Sequence, residues 1–203
     1  MKIVIVDYEV GNILSIRNAI EFLGFKTILS KDKSIIIKAT HLILPGVGAF
    51  PSAMNKLKQL ELVNPINEAI NNGSKVLGIC LGMQLLFDFS EENEITEGLK
   101  LINGGIKKIN TNRIPHIGWN NIIDVNKENK ILNDITQKDD FYFVHSFSAD
   151  GMSKNIIKNH TNYQKLKIVS CVNKGNIYGC QFHPEKSGKS GLKLINNFIS
   201  LKY

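Results

Sequence analysis

The 203-residue chain is poor in the residues that staple, anchor or charge a protein in specialised ways. Its three cysteines, Cys80, Cys171 and Cys180, form no Cys-x-x-Cys pair. Neither a disulfide framework nor a zinc knuckle is therefore expected, and a reducing, cytoplasmic setting fits. No apolar run approaches the ~18 residues needed to span a bilayer. Asp7 interrupts the first apolar run too early for a signal peptide. Arginine is nearly absent: only Arg17 and Arg113 accompany 23 lysines. The formal charge is +7, but the lysines are dispersed and no basic block occurs. With 23 asparagines and 29 isoleucines the lysine content follows the drift that AT-rich codons impose. No nucleic-acid or membrane partner is expected.

Hydrophobic residues at 43% and charged residues at 21% are ordinary for a globular chain. No repeat, linker or low-complexity tract divides it, so residues 1–203 are expected to form one domain. Short β-rich runs alternate with helical patterns, the mark of a layered α/β fold. Strands are expected at Lys2–Val6, Phe25–Leu29, His41–Leu44 and Lys75–Ile79, then at Phe141–Val144, Lys167–Val172 and Asn176–Phe182. Asn12 is positioned to cap a helix carrying Ile13, Ile16, Ile20 and Leu23, stopped at Gly24. Asn64-Pro65 opens another, closed by Gly73, and Leu81–Phe87 has helix-forming composition. A last helix is expected over Gly188–Leu201, with Leu192, Ile195 and Ile199 in register.

The most informative residues are Gly78-Ile79-Cys80-Leu81-Gly82, where a strand meets a helix. The pattern glycine-x-nucleophile-x-glycine makes a sharp elbow that lifts the middle side chain clear of the sheet. A thiol there stands at a helix N-terminus, beside amides able to stabilise a thiolate or an oxyanion. The competing reading is a small buried hydrophobe, the usual fate of free cysteine. Cys171 and Cys180 lack such a setting and are expected in the core.

A cysteine that attacks an amide needs a base and then an acid for the departing nitrogen. His183-Pro184-Glu185 offers both an imidazole and its orienter, because proline favours an extended residue before it and positions i and i+2 then share a side. A functionless His-Pro turn remains the alternative. The second half of a zinc-deaminase signature is missing, so no metal is expected. His41 and His160 are read as strand-edge or loop residues, whereas His116 and His145 lie in more suggestive strings.

With these residues in hand, six blocks in order resemble the class I (triad) glutamine amidotransferases. They are Asp7-Tyr8 with Gly11-Asn12, Pro45–Phe50, Gly78–Gln84, Pro115–Asn120, Tyr142–Ser146 and Gln181–Gly188. The Pro45–Phe50 and Pro115–Asn120 blocks resemble the branch formed by glutaminase subunits of imidazole glycerol phosphate synthase. The resemblance implies an α/β flavodoxin-like fold: a mostly parallel central sheet flanked by helices, with additional antiparallel strands. It implies Cys80 as nucleophile, His183 as acid and base, Glu185 as orienter, and the Val47 and Leu81 amides as oxyanion donors. Gly48, Gln84, His145 and Ser146 are implied to hold L-glutamine, with no cofactor and no metal. Ammonia is implied to pass to a HisF-type (β/α)₈ barrel cyclase, a separate polypeptide, across a face that includes Asn12, Pro115, Trp119 and Asn120. A related role, supplying a HisF-like partner in surface-sugar amidination, stays open. Glu9 departs from the family pattern, which has glycine there, and is expected to alter the first turn or the partner face.

Overall fold

The computed structural model describes residues 1–126 and 128–202. The chain runs β1 (Ile3–Val6), α1 (Ile13–Phe22), β2 (Thr27–Ser30), α2 (Lys33–Ile37), β3 (His41–Leu44), α3 (Phe50–Gln59), α4 (Val63–Asn71) and β4 (Lys75–Ile79). It continues with α5 (Leu81–Gln84), β5 (Phe87–Ser90), β6 (Thr96–Glu97), β7 (Ile102–Lys108), β8 (His116–Asn121), β9 (Asp140–His145) and β10 (Phe147–Asp150). The last elements are β11 (Ile157–Tyr163), β12 (Leu166–Lys174), β13 (Ile177–Cys180) and α6 (Gly188–Ile199).

The first strand shows why the fold is layered. Ile3-Val4-Ile5-Val6 is apolar throughout and buried throughout, which requires cover on both faces of the sheet. Ile3 and Ile5 join one core with Ile43, Leu77 and Phe198. Val4 and Val6 join another with Leu42, Leu44 and Phe50 on the opposite side. The sheet has seven strands in the order β11-β12-β13-β4-β3-β1-β2. Its β2-β1-β3-β4-β13 portion is parallel, the flavodoxin-like order, and β12 and β11 extend it antiparallel. A four-stranded sheet (β10-β7-β5-β6) and the β8-β9 ladder stand beside it. This is the α/β class expected.

Strands β3, β4 and β13 are in register and end together, with Leu44 opposite Gly78 and Cys180 opposite Ile79. The segments that follow them, Pro45–Gly48, Cys80 and Gln181–Glu185, therefore emerge at one carboxyl edge, where open α/β sheets bind ligands.

Several local expectations are corrected. Leu81–Phe87 is one helical turn, not two: Phe87 leaves it to pair with Ile102 in the small sheet, a tertiary pairing that overrides helix-forming composition. Asn12 occupies the N-cap position of α1, but its side chain makes no capping bond. Helix α4 begins at Val63, so Asn64 lies inside it. In α6 the buried positions are Gly191, Leu194, Ile195, Phe198 and Ile199, and Leu192 sits at the margin. His41 opens a central strand and is buried against Phe198. His160 lies within β11 and pairs with Asp124 at 2.7 Å. Helix α3 was not anticipated, although Phe50, Ala53, Met54 and Leu57 give it a helical apolar stripe.

Candidate active site

Cys80 caps β4 with φ 53° and ψ −110°, a left-handed strained backbone for a residue with a side chain. What forces the turn is the approach of α5 to the neighbouring strand. A Cβ on Gly82 would stand 1.8 Å from the Leu44 carbonyl oxygen, and one on Gly78 would stand 2.6 Å from the Gly82 oxygen. Only glycine permits either contact. The elbow is then tied down by the Cys80 amide, which donates to the Cys180 carbonyl at 2.8 Å.

The thiol lies 3.9 Å from the Val144 carbonyl and 3.7 Å from Nε2 of Gln181. Because α5 is a single turn, its dipole offers little; the group that faces the sulphur with a full positive charge when protonated is His183. His183 is 2% exposed, and its Nδ1 lies 2.8 Å from Glu185 Oε1. Burial pulls its pKa down, but hydrogen bonds and charges from Cys80 and Glu185 outweigh burial and raise it to about 9. The backbone holds the ring in place: the His183 amide donates to Tyr142 at 2.9 Å, and Ser187 Oγ donates to the His183 carbonyl at 2.6 Å.

A cavity of about 410 Å³ opens above the sulphur, within the usual range for small-molecule sites. Val47, Gly48, Leu81, Gln84, Pro115, His145 and Ser146 all line it, together with Cys80 and His183. Val47 and Gly48 are exposed at its rim, and Gly48 takes φ 100°. The loop bearing them is held from beneath by Tyr8, which is buried and donates to the Pro45 carbonyl. Burial, with the nearby Cys80, raises the Tyr8 pKa and keeps its proton on the donating oxygen.

Two of the expected glutamine-holding side chains are committed within the protein. Gln84 donates to the Phe147 carbonyl at 3.2 Å and to Gln181 Oε1 at 3.1 Å. His145 uses Nδ1 on the Phe147 carbonyl at 2.8 Å and Nε2 on His116 at 2.9 Å. Both shape the cavity more than they reach into it. Glu185 stands behind His183, outside the cavity, against α1.

The expected partner residues separate. Trp119 is 55% exposed, pointing outward from β8 beside Ile117 at 56%. Pro115 is exposed at the cavity rim, and Asn12 is half-buried. Asn120 turns inward to His116 at 2.7 Å, so its amide is not presented to a partner. Glu9 sits in the first turn with φ 64°. Its carboxylate meets Lys56 at 2.8 Å and Lys31 at 3.6 Å, and Lys56 in particular lowers its pKa.

Sequence reasoning missed Glu92, whose carboxylate borders the cavity and accepts from the Phe50 amide at 2.8 Å. It lies in the run Glu91-Glu92-Asn93-Glu94, where nothing local distinguishes it from a solvated acid. Gln181 and Phe147 were missed for a similar reason, since their roles depend on strands distant in sequence. Among the described residues, no group of three His, Cys, Asp or Glu side chains is arranged to hold a metal ion. No helix among them is long and apolar enough to cross a membrane.

A family model described as glutamine amidotransferase class-I matches residues 4–201. The chain is 46% identical over 199 residues to the imidazole glycerol phosphate synthase subunit HisH of Lactococcus lactis subsp. lactis (strain IL1403), covering 98% of each chain. It is 45% identical over 201 residues to subunit HisH 2 of the same synthase from Methanococcus maripaludis, covering 97% of this chain and 98% of the other. A solved structure described as PurLQS from Thermotoga maritima superposes with a TM-score of 0.78 at 19% identity, over 98% of this chain and 97% of that one, a likeness of fold. A strained cysteine elbow beneath a small cavity is thus found in a chain related along almost its whole length to one kind of subunit: it belongs to the class I glutamine amidotransferases, in the HisH family of imidazole glycerol phosphate synthase subunits.

Proposed function

We propose that this chain, as a single domain over residues 1–203, is the glutaminase subunit of an imidazole glycerol phosphate synthase in histidine biosynthesis. It hydrolyses L-glutamine to glutamate and ammonia, and the ammonia passes to a separate HisF-type (β/α)₈ barrel cyclase. The observation that carries the reading is the pair Cys80 and His183 lining a cavity sized for a small molecule, with the buried Glu185 holding the imidazole from behind.

In this mechanism the Cys80 thiol passes its proton to His183, giving a thiolate–imidazolium pair that is the active form, and the sulphur of this pair attacks the side-chain amide carbon of glutamine. Negative charge develops on the amide oxygen, where the Val47 and Leu81 backbone amides are the proposed donors. Collapse of the tetrahedral intermediate breaks the C–N bond, and His183 protonates the leaving nitrogen, releasing ammonia and leaving a thioester. The pKa of His183 supports that timing. Part of its elevation comes from Cys80, and acylation removes that part, so the imidazolium becomes a better acid as ammonia departs. Water, deprotonated by His183, then attacks the thioester and frees glutamate and the thiol. Glu185 holds the ring tautomer and offsets its charge throughout.

Selection of a free amino acid is assigned to the rim. Glu92 is the acidic side chain bordering the cavity, suited to an α-ammonium group. The outward Ile117 and Trp119, with Pro115 and Asn12, are the proposed docking side for the barrel, since exposed aromatic anchors favour partner contact. Supply of ammonia to surface-sugar amidination is not favoured, because the similar relatives are named for the imidazole glycerol phosphate synthase.

Glutamate release from glutamine, assayed with a HisF-type barrel present, tests the reading. Cys80→Ala is expected to abolish it, and undiminished release would overturn the assignment. The barrel is expected to accelerate turnover; equal rates with and without it would count against a channelled product.

A further inference from the structure

Strands β8 and β9 place His116 directly opposite His145. Along β8 the side chains alternate: Ile117 and Trp119 face outward, whereas His116 and Asn120 turn inward with only Gly118 between them. The inward side chains form an unbroken series. Asn120 Nδ2 lies 3.3 Å from the Asn162 carbonyl and 2.7 Å from His116 Nε2. His116 Nδ1 lies 2.9 Å from His145 Nε2, and His145 Nδ1 lies 2.8 Å from the Phe147 carbonyl.

Both ends of this series are carbonyls, which can only accept. Phe147 therefore requires a proton on His145 Nδ1, so neutral His145 must accept at Nε2. His116 must then donate from Nδ1 and accept at Nε2 from the Asn120 amide, whose second hydrogen goes to Asn162. Every hydrogen has one place, and a proton added to either ring would set two donors face to face. Burial keeps both rings neutral, lowering the pKa of His116 to about 4 and that of His145 to about 3. Beyond Phe147 the network continues: the same carbonyl accepts from Gln84, Gln84 donates to Gln181, and Gln181 reaches the Cys80 sulphur.

We propose that His116 is a positioning residue: as an Nδ1–H imidazole it joins Asn120 to His145 and thereby fixes the Phe147 carbonyl and Gln84 at the floor of the glutamine cavity. The proposal rests on the glutaminase reading only for its kinetic readout. His116 is 1% exposed and lies outside the cavity lining, so it acts through His145. Its ring also stacks on Phe143 at 4.7 Å and on Tyr163 at 4.1 Å, and packing is the rival explanation for its presence.

Two substitutions separate these roles. His116→Phe keeps the stacked ring but removes both hydrogen bonds. His116→Asn loses the ring but retains one N–H near the Nδ1 position, able to donate to His145. A positioning role predicts that KM for glutamine rises about tenfold in His116→Phe with kcat nearly unchanged, since an unpaired buried acceptor is left beside the cavity. It also predicts that His116→Asn restores KM to within about threefold of wild type although it melts at a lower temperature than His116→Phe. A packing role predicts the reverse order, with KM following stability, and that order overturns the proposal. Proton–nitrogen NMR correlations of the full wild-type chain at neutral pH are expected to show both rings as Nδ1–H tautomers. An Nε2–H or doubly protonated ring at either position overturns the proposal even if no glutaminase activity is found.

Discussion

Glu185→Gln removes one charge and little volume, so it isolates what the carboxylate does for His183. The native Nδ1–Oε1 distance is 2.8 Å and the two side chains are 2% and 3% exposed. With charge centres about 4 Å apart and an effective dielectric of about 20, their attraction is about 4 kcal/mol. That corresponds to about 3 pKa units. His183, held at about 9 in the native chain, is expected to titrate near ~6 in the variant. The pH profile of kcat/KM, measured with the barrel partner, reads this directly. The alkaline limb, set by loss of the His183 proton, is expected to move from about 9 to about 6, a loss of about a hundredfold at pH 8. Stability offers an independent reading. Because the folded pKa of His183 lies above the ordinary 6.5, its contribution is complete below pH 6.5 and disappears as pH rises through about 9. The size is on the order of 3 kcal/mol. Between pH 6 and 9.5 the wild type is expected to lose this increment and the variant to keep a flatter profile. An alkaline limb still near 9 in Glu185→Gln, or the same stability loss in both proteins, would refute the reasoning.

The remaining expectations concern the elbow and the rim. Gly82→Ala places a Cβ 1.8 Å from the Leu44 carbonyl oxygen, so β3 or α5 must move by about 1 Å. The cost is expected to reach about 3 kcal/mol, lowering Tm by about 10 °C. A melting curve superimposed on that of wild type, with Cys80 alkylated at the native rate, would show that the approach is looser than described. Glu92→Gln keeps an acceptor for the Phe50 amide but removes the charge facing the cavity. KM for glutamine is expected to rise about tenfold with kcat within about threefold; an unchanged KM removes Glu92 from substrate selection.

How far the site was legible in the chain differs from residue to residue. The elbow was legible because its constraint is local: two glycines must flank the cysteine wherever a helix folds back against its own strand. His183 and Glu185 were legible for the same reason, since proline sets the backbone that puts them on one side. Glu92 was not, because a carboxylate in an acidic surface run acquires meaning only when helix α3 and strand β5 bring it to the cavity. Nor could the fates of Gln84 and His145 be read locally. Their polar groups are taken up by Phe147, Gln181 and His116, each supplied by another strand. Asn120 looked like an outward-facing residue beside Trp119, yet strand alternation sends the two in opposite directions.

The fold divides along the same line. Apolar runs such as Ile3–Val6 and Leu42–Leu44 called for a sheet covered on both faces, and glycines at the ends of α1 and α4 marked where helices stop. Those are properties of a few consecutive residues. Helix-forming composition over Leu81–Phe87 was overruled, because Phe87 gains more by pairing with Ile102 than by extending a one-turn helix. The scarcity of cysteine, arginine and long apolar runs narrowed the chemistry, and the motifs, through the family resemblance they carry, implied the nucleophile, base and orienter. Assembly alone decided their working geometry. Three strands had to end at the same level of one sheet before the sulphur, the imidazole and the glycine loop could share a cavity. Long-range register, unlike a turn or a cap, is settled only when the whole sheet packs.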